Sequence, residues 1–139
     1  MLWVTRTRMG SRVDMPTELW KLPVPVTASL KKPAFVLLPG RQCEIFFHFE
    51  REDGTWRMFS ILFITVEAFK CTYLTSCRPE MLAEAYGKLL NLGDTPWLSE
   101  VRGIHHLNAR PSKQLQHLSV CLDRGPCYEF ICADYVLSF

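Results

Sequence analysis

The chain has 139 residues, of which 48% are hydrophobic and 22% are charged, and its formal net charge at pH 7 is +2. Such a length and balance are typical of one globular domain and argue against a disordered chain. A net charge this small argues against nucleic-acid binding, and no apolar run approaches the roughly 18 residues that a membrane-spanning helix needs. We therefore expect neither a nucleic acid nor a membrane as a partner.

The positive charge is concentrated at the start of the chain. Residues 1–32 carry six basic and two acidic side chains, a net charge of +4, so that residues 33–139 carry a net charge of −2. The first segment also contains several prolines, which cannot donate a hydrogen bond within a sheet. We therefore predict a basic, proline-containing N-terminal arm over residues 1–33 and a single α+β domain over residues 34–139.

The first β-hairpin signal spans residues 43–66 and turns at Asp53-Gly54. Asp-Gly is a favoured dipeptide for a two-residue turn, because both positions of such a turn need a positive φ, which Asp and Gly tolerate. This turn predicts a register in which Glu50 faces Arg57 as a pair of opposite charges. Both faces of this hairpin are then largely apolar, which predicts burial between layers or against a partner.

Two helices are predicted between this hairpin and the next. The first, over residues 79–92, begins at a proline, carries apolar residues at helical spacing and is stopped by Gly93. The second, over residues 96–102, has Thr95 as its N-cap and is stopped by Gly103.

The second hairpin signal spans residues 115–136 and has a three-residue loop at 124–126. This loop pairs Leu122 with Tyr128, so that apolar residues face apolar residues. The chain is therefore predicted to be an α+β protein. It has an antiparallel sheet of about five or six strands built from two β-hairpins, with two helices packed on one face.

The six cysteines match no structural zinc motif, because no two of them are separated by only two residues. The chain starts without the apolar segment of a secretory signal, so we expect a cytoplasmic protein with reduced thiols. Phosphate-binding glycine loops are absent from the sequence, and we predict neither a metal nor a cofactor. The six cysteines are Cys43, Cys71, Cys77, Cys121, Cys127 and Cys132.

Two arrangements support an alternative interpretation as a small enzyme or a small-molecule-binding protein. Cys77 precedes the predicted helix over residues 79–92, whose N-terminal dipole would favour the thiolate. On the outward side of the second hairpin, Glu129 is predicted to lie opposite Cys121 and near His117, a combination that can supply a nucleophile and an acid–base pair. This interpretation predicts a concave pocket in which these groups converge.

A small α+β domain without a catalytic motif is more often a binding protein than an enzyme. We therefore predict a non-catalytic protein–protein interaction domain, of the immunity or adaptor kind, whose partner is an unknown protein or a second copy of the chain. The candidate binding residues are Trp56, Phe59 and Phe47 of the first hairpin, because aromatic side chains commonly anchor protein interfaces. Trp56 lies near the hairpin tip, where full burial is difficult.

Overall fold

A computed structural model of the protein describes residues 16–22, 33–85, 87–108, 114–122 and 126–138. These residues form seven β-strands, two α-helices and a short 3₁₀ turn. The elements are, in chain order, β1 (Thr17–Lys21), β2 (Ala34–Leu38), β3 (Gln42–Glu50), β4 (Trp56–Thr72), the 3₁₀ turn (Leu74–Ser76), α1 (Pro79–Ala85), β5 (Lys88–Asn91), α2 (Pro96–Leu107), β6 (Gln116–Cys121) and β7 (Cys127–Ser138).

The strands form one antiparallel sheet in the order β1-β5-β6-β7-β4-β3-β2. The fold is therefore α+β with an antiparallel sheet, as predicted, but with seven strands where about five or six were expected. The two strands that were not predicted are β1, within the proposed arm, and β5, within the proposed first helix. Residues 1–15 and 23–32 of the arm lie outside the described residues, so its extent stays a prediction.

The core lies on the inner side of the sheet, which curls so that both edge strands reach it. At one edge, Trp20 of β1 packs edge to face on Phe59 of β4, with ring centroids 5.3 Å apart. At the other edge, Phe35 of β2 stacks on Tyr128 of β7, also at 5.3 Å. Both contacts skip intervening strands, which a flat sheet does not allow. The right-handed twist of antiparallel strands supplies the necessary curvature.

The turn of the first hairpin is longer than predicted. The N–H of Gly54 donates to the carbonyl of Arg51 at 2.9 Å, and the N–H of Arg51 donates to the carbonyl of Thr55 at 2.8 Å. Gly54 has a φ of +84°, as in hairpin loops that end in a left-handed glycine. The Asp53 carboxylate accepts hydrogen bonds from the N–H and the hydroxyl of Thr55 and stabilises this loop.

The longer loop moves the register of the first hairpin by one residue, and the predicted pairing is wrong. Glu50 faces Trp56 rather than Arg57, and Phe47 faces Phe59. A slip of one residue exchanges the two faces of a strand, so this register decides which side chains enter the core. Phe47 and Phe59 are buried there and stack with ring centroids 4.9 Å apart.

The second hairpin is offset by two residues from the predicted register, because β6 ends two residues earlier than expected. Val120 rather than Leu122 faces Tyr128, and Glu129 faces Ser119. A shift by an even number keeps every side chain on its predicted face. The apolar side of β6 therefore still faces the core.

The predicted helix over residues 79–92 is interrupted. α1 ends at Ala85, and the chain turns at Gly87, which has a φ of +65°, into the strand β5. Leu89 and Leu90 match the helical spacing, yet they lie in β5 and are buried. Periodicity alone does not separate a short buried strand from a helical segment.

The second helix, α2, is longer than the predicted range of residues 96–102. It begins as predicted, with the side chain of Thr95 as its N-cap, and it continues through Gly103 to Leu107. Glycine costs about 1 kcal/mol in a helix relative to alanine, a cost that does not stop a helix packed on a sheet. Within the described ranges, no helix has the length and apolar character needed to span a membrane.

β4 carries two local irregularities at its middle. Thr65 has a φ of 54°, which is a rare and strained value for a β-branched residue. Two residues further on, Glu67 is an extra residue in the pairing with β7, because the register shifts between Val66 and Ala68. The bulge directs Glu67 toward α2 and toward the turn between β2 and β3.

The hairpin register can be tested by truncating two neighbouring residues of β4. Phe59→Ala should lower the free energy of unfolding by about 3–5 kcal/mol, because it opens a cavity in the aromatic core. Met58→Ala should change it by less than about 1 kcal/mol, because half of that side chain is exposed. Urea unfolding of both variants checks this. The reverse order of the two effects would support the pairing of Glu50 with Arg57.

Candidate functional site

A buried polar network lies between the N-terminus of α2 and the outer side of β6 and β7. His117 of β6 is 4% exposed and contacts two polar side chains. Its Nδ1 atom lies 2.7 Å from Oγ1 of Thr95, and its Nε2 atom lies 2.9 Å from Oε1 of Glu129. We call Thr95, His117 and Glu129 the α2 network.

The hydrogen bonds of the α2 network form a single directed chain. The N–H of Leu98 donates to Oγ1 of Thr95 at 3.2 Å, so the Thr95 hydroxyl is free to donate to Nδ1 of His117. A neutral His117 then donates from Nε2 to Glu129. Every polar atom of the imidazole has a partner, which a histidine buried this deeply requires.

The charge of Glu129 is stabilised by its surroundings. Its hydrogen bond with His117 lowers the pKa of the carboxyl below its ordinary value, against the opposing effect of burial. The positive charges of Lys70 and Arg78 lower this pKa further. Glu129 is therefore a carboxylate at neutral pH and a poor general acid.

Aromatic contacts close the α2 network from one side. The indole of Trp97 lies edge to face against the ring of His117, with centroids 5.1 Å apart. The ammonium group of Lys70 lies 4.1 Å from the Trp97 ring centroid, as in a cation–π contact. These contacts attach the first turn of α2 to β4 and β6.

A second histidine–glutamate pair lies at the other end of α2. Nε2 of His105 is 3.2 Å from Oε1 of Glu67, and the other carboxylate oxygen of Glu67 is paired with Arg41. Nδ1 of His105 is buried without a hydrogen-bond partner among the residues that the structure describes. Arg41 and Glu67 also line a cavity of about 430 Å³ between β4 and the turn that joins β2 to β3.

The predicted catalytic residues are only partly brought together. His117 and Glu129 are in contact, as the enzyme interpretation requires, and Thr95 is a third member that the sequence patterns did not indicate. Cys121 is removed from this group, because it forms a disulfide with Cys127 beneath α1. The expectation that all six cysteines are reduced differs from the structure at these two positions.

The remaining cysteines do not form an activated thiol site. Cys77 donates weak hydrogen bonds to the carbonyls of Thr72 and Tyr73 and packs beside the disulfide, and none of these contacts is with a histidine. Burial raises the pKa of Cys43, and it raises the pKa of Cys132 to about 12. In the described part of the chain, no group of three or more ligating side chains is placed to hold a metal ion.

Two of the three predicted binding residues lie in the core. Phe47 and Phe59 are buried because the observed register turns them inward, so neither can contact a partner without opening the fold. Trp56 lies at the start of β4 and is 44% exposed, and its binding role stays a prediction.

Within the part of the chain that the structure describes, the helices cover only one half of the outer side of the sheet. α1 packs on the disulfide region, and α2 packs on Leu115, Ile131 and Ala68. We call the other half the outer face. It is formed by β2, by β3, by the first part of β4 and by the end of β7. By register its positions are Ala34, Val36, Leu38, Gln42, Glu44, Phe46, His48, Glu50, Trp56, Met58, Ser60, Leu62, Ile64, Asp134, Val136 and Ser138.

The outer face combines exposed apolar side chains with negative charge. Met58 is 50% exposed and Val136 is 44% exposed, and Val36 lies in the same cross-strand row as Val136. Its charged positions are three carboxylates, and no lysine or arginine occurs among its sixteen register positions. One carboxylate, that of Glu44, accepts a hydrogen bond from Ser60 at 2.8 Å.

Comparisons of the chain with protein-family models, with curated proteins and with solved structures found no match. Inferences about function therefore depend on the geometry of these surfaces and networks.

The charge of Glu129 should be visible in the acid stability of the protein. The folded state holds the pKa of Glu129 below its ordinary value of 4.5, so it contributes stability above about pH 4.5 that is lost as the pH falls below it. Glu129→Gln should lower the free energy of unfolding at neutral pH by about 1–3 kcal/mol, and the difference from the wild type should shrink in acid.

Urea unfolding between about pH 3 and pH 7 measures this difference. Glu100→Gln, on the exposed side of α2, is the matched control and should leave the profile unchanged. A wild-type advantage over Glu129→Gln that stays constant down to about pH 3 would contradict a lowered pKa.

Proposed function

We propose that this protein is a non-catalytic protein-binding domain whose outer face binds a partner protein with a basic and apolar surface. The observation that carries the proposal is the composition of that face. Exposed apolar residues such as Met58 and Val136 lie beside carboxylates that no lysine or arginine of the same face neutralises. Apolar area supplies affinity in protein interfaces, and complementary charge supplies orientation and association rate.

The bonding of the α2 network favours a structural role over a catalytic one. As the N-cap of α2, the Thr95 oxygen already accepts a hydrogen bond from the N–H of Leu98. Both nitrogens of His117 also have partners within the network. A hydroxyl held in this way fixes the helix to the sheet. It could attack a substrate as a nucleophile only by breaking the N-cap hydrogen bond. The lowered pKa of Glu129 likewise suits a fixed anion.

The charge of the outer face also favours a different protein as the partner over a second copy. In a two-fold dimer through this face, the same surface meets itself, so an acidic face would lie against an equally acidic face. Glu44, Glu50 and Asp134 would then repel across the interface. A basic surface on another protein removes this cost.

The proposal is tested by adding positive charge to the outer face. The tagged wild-type protein should retain a stoichiometric basic partner from its native lysate, and the double variant Met58→Arg, Val136→Arg should lose it. The matched control is Ile104→Arg, Leu107→Arg, which places the same charge on exposed apolar residues of α2 and should retain the partner.

Quantitative mass spectrometry of the co-purified proteins gives the result, and circular dichroism confirms that all three proteins are folded. Equal loss of the partner in the control would place the interface elsewhere. A wild-type protein that captures no partner, or that sediments as a dimer which the outer-face variant dissociates, would contradict the proposal.

A further inference from the structure

We infer that the second half of β4 and the turn between β2 and β3 form a groove that binds a single extended peptide segment of a partner protein. This site shares Leu38 and Gln42 with the outer face, and its other lining residues lie outside that face. The inference rests on an unpaired strand edge, on the shape of the cavity beside it and on the residues that line that cavity.

Among the described strands, this edge is left unpaired because β3 is much shorter than β4. The pairing of β3 with β4 ends at Cys43 and Phe63, whereas β4 continues to Thr72 and pairs there with β7 on its other side. Beyond Phe63, the only backbone hydrogen bond recorded from this edge within the described residues joins the N–H of Val66 to the carbonyl of Arg41. An edge of this kind is a template for a further strand.

The cavity lies along this edge and not over one face of the sheet. It has a volume of about 430 Å³, and four consecutive residues of β4, 66–69, line it. Successive side chains of a strand point to opposite faces, so a cavity that touches consecutive residues lies beside the backbone. Its volume is within the range of about 300–1,000 Å³ that ligand sites occupy.

The wall of the cavity opposite β4 favours a single bound strand over the edge of another sheet. Leu37 and Leu38 at the end of β2, Arg41 of the turn and Gln42 at the start of β3 line the far side of the cavity. A second copy of the chain would bring a whole sheet to this edge and would have to displace the turn. A single extended segment enters between the two walls without doing so, as in strand addition.

The side chains of the groove define the chemistry of the segment. Leu37 is 62% exposed and Phe69 is 41% exposed, and both line the cavity, so they offer apolar area to alternate side chains of a bound strand. Arg41 is the exposed cation of the groove, and its partner Glu67 is shared with His105. The expected segment therefore has alternating apolar residues and one acidic residue that reaches Arg41.

The backbone at Arg41 is strained, as backbones at binding sites often are. Arg41 has a φ of 58°, and Thr65, next to the lining residue Val66, has a φ of 54°. Such conformations are strained and concentrate at binding sites. Replacing Arg41 by glycine removes both the charge and the strain, which gives a variant that is expected to fold.

The test uses a displayed library of random peptides of about eight residues, selected on the full-length protein. Selected peptides should show alternating apolar residues and an acidic position, and fluorescence polarisation should give a Kd at least about tenfold weaker for Leu37→Lys. Arg41→Gly should remove the acidic preference. The control Leu107→Lys, far more exposed on α2, should bind like the wild type.

Two further readouts separate strand addition from other binding. Hydrogen exchange of residues 66–72 should slow when the selected peptide is bound, and N-methylation of alternate peptide nitrogens should abolish binding. The outer-face variant Met58→Arg, Val136→Arg should bind the peptide normally, so failure here and failure of the proposed function are distinguishable.

The inference is overturned if the library yields no enriched peptide, or if the enriched peptides bind Leu37→Lys unchanged. It is equally overturned if the slowed exchange lies outside residues 66–72, or if the protein is a dimer that Leu37→Lys dissociates. The last result would make a second copy of the chain the occupant of this edge.

Discussion

The long antiparallel pair of β4 and β7 is the interaction on which the rest of the structure depends. β4 has 17 residues and β7 has 12, and their pairing runs from Ser60 with Ser138 to Thr72 with Cys127. Phe63 and Phe130, one from each strand, stack in the core with centroids 3.8 Å apart. The other strands extend the sheet outward from the two sides of this pair. The bend and the bulge of the pair therefore set where the remaining elements can pack.

Helix α2 shows how a polar contact positions an element that apolar contacts alone would leave underdetermined. Its apolar side rests on small patches around Leu98, Leu115 and Ile131, and such contacts tolerate sliding. The α2 network removes this freedom, because the N-cap oxygen of Thr95 must meet a nitrogen of a buried histidine. A helix cap thus serves also as a tertiary contact.

The sequence predicts those features that depend on strong local chemistry. The N-cap at Thr95, the α+β class and the inward side of β6 follow from capping preferences and from alternation, and the structure confirms them. The register of the first hairpin and the strand β5 could not be predicted, because in each case the local sequence pattern fits two alternatives. At Asp53-Gly54, a side-chain hydrogen bond to Thr55 favours the longer loop.

The candidate sites were less predictable than the fold for a physical reason. Contact between His117 and Glu129 was suggested because both lie on the outward side of one hairpin, and alternation fixes that side. Thr95 enters the network from another element, and no local pattern in the sequence records where a helix docks. Arg41 and Glu67 meet because of a bulge, and a single extra residue in a strand leaves little trace in its composition.

The bulge also explains how one strand can contribute to two different surfaces. From Ser60 to Phe63, β4 pairs with β3 on one side and with β7 on the other, so both edges of its backbone are paired and only its side chains face outward. After Glu67, β7 is the only strand that pairs with β4 among the residues that the structure describes, and the other edge of β4 begins beside the β2–β3 turn. Strain at Thr65 and Arg41 is tolerated at this junction because it separates the two halves. A straight, regular β4 would extend the pairing with β3 or expose a long flat edge, and the second outcome favours aggregation.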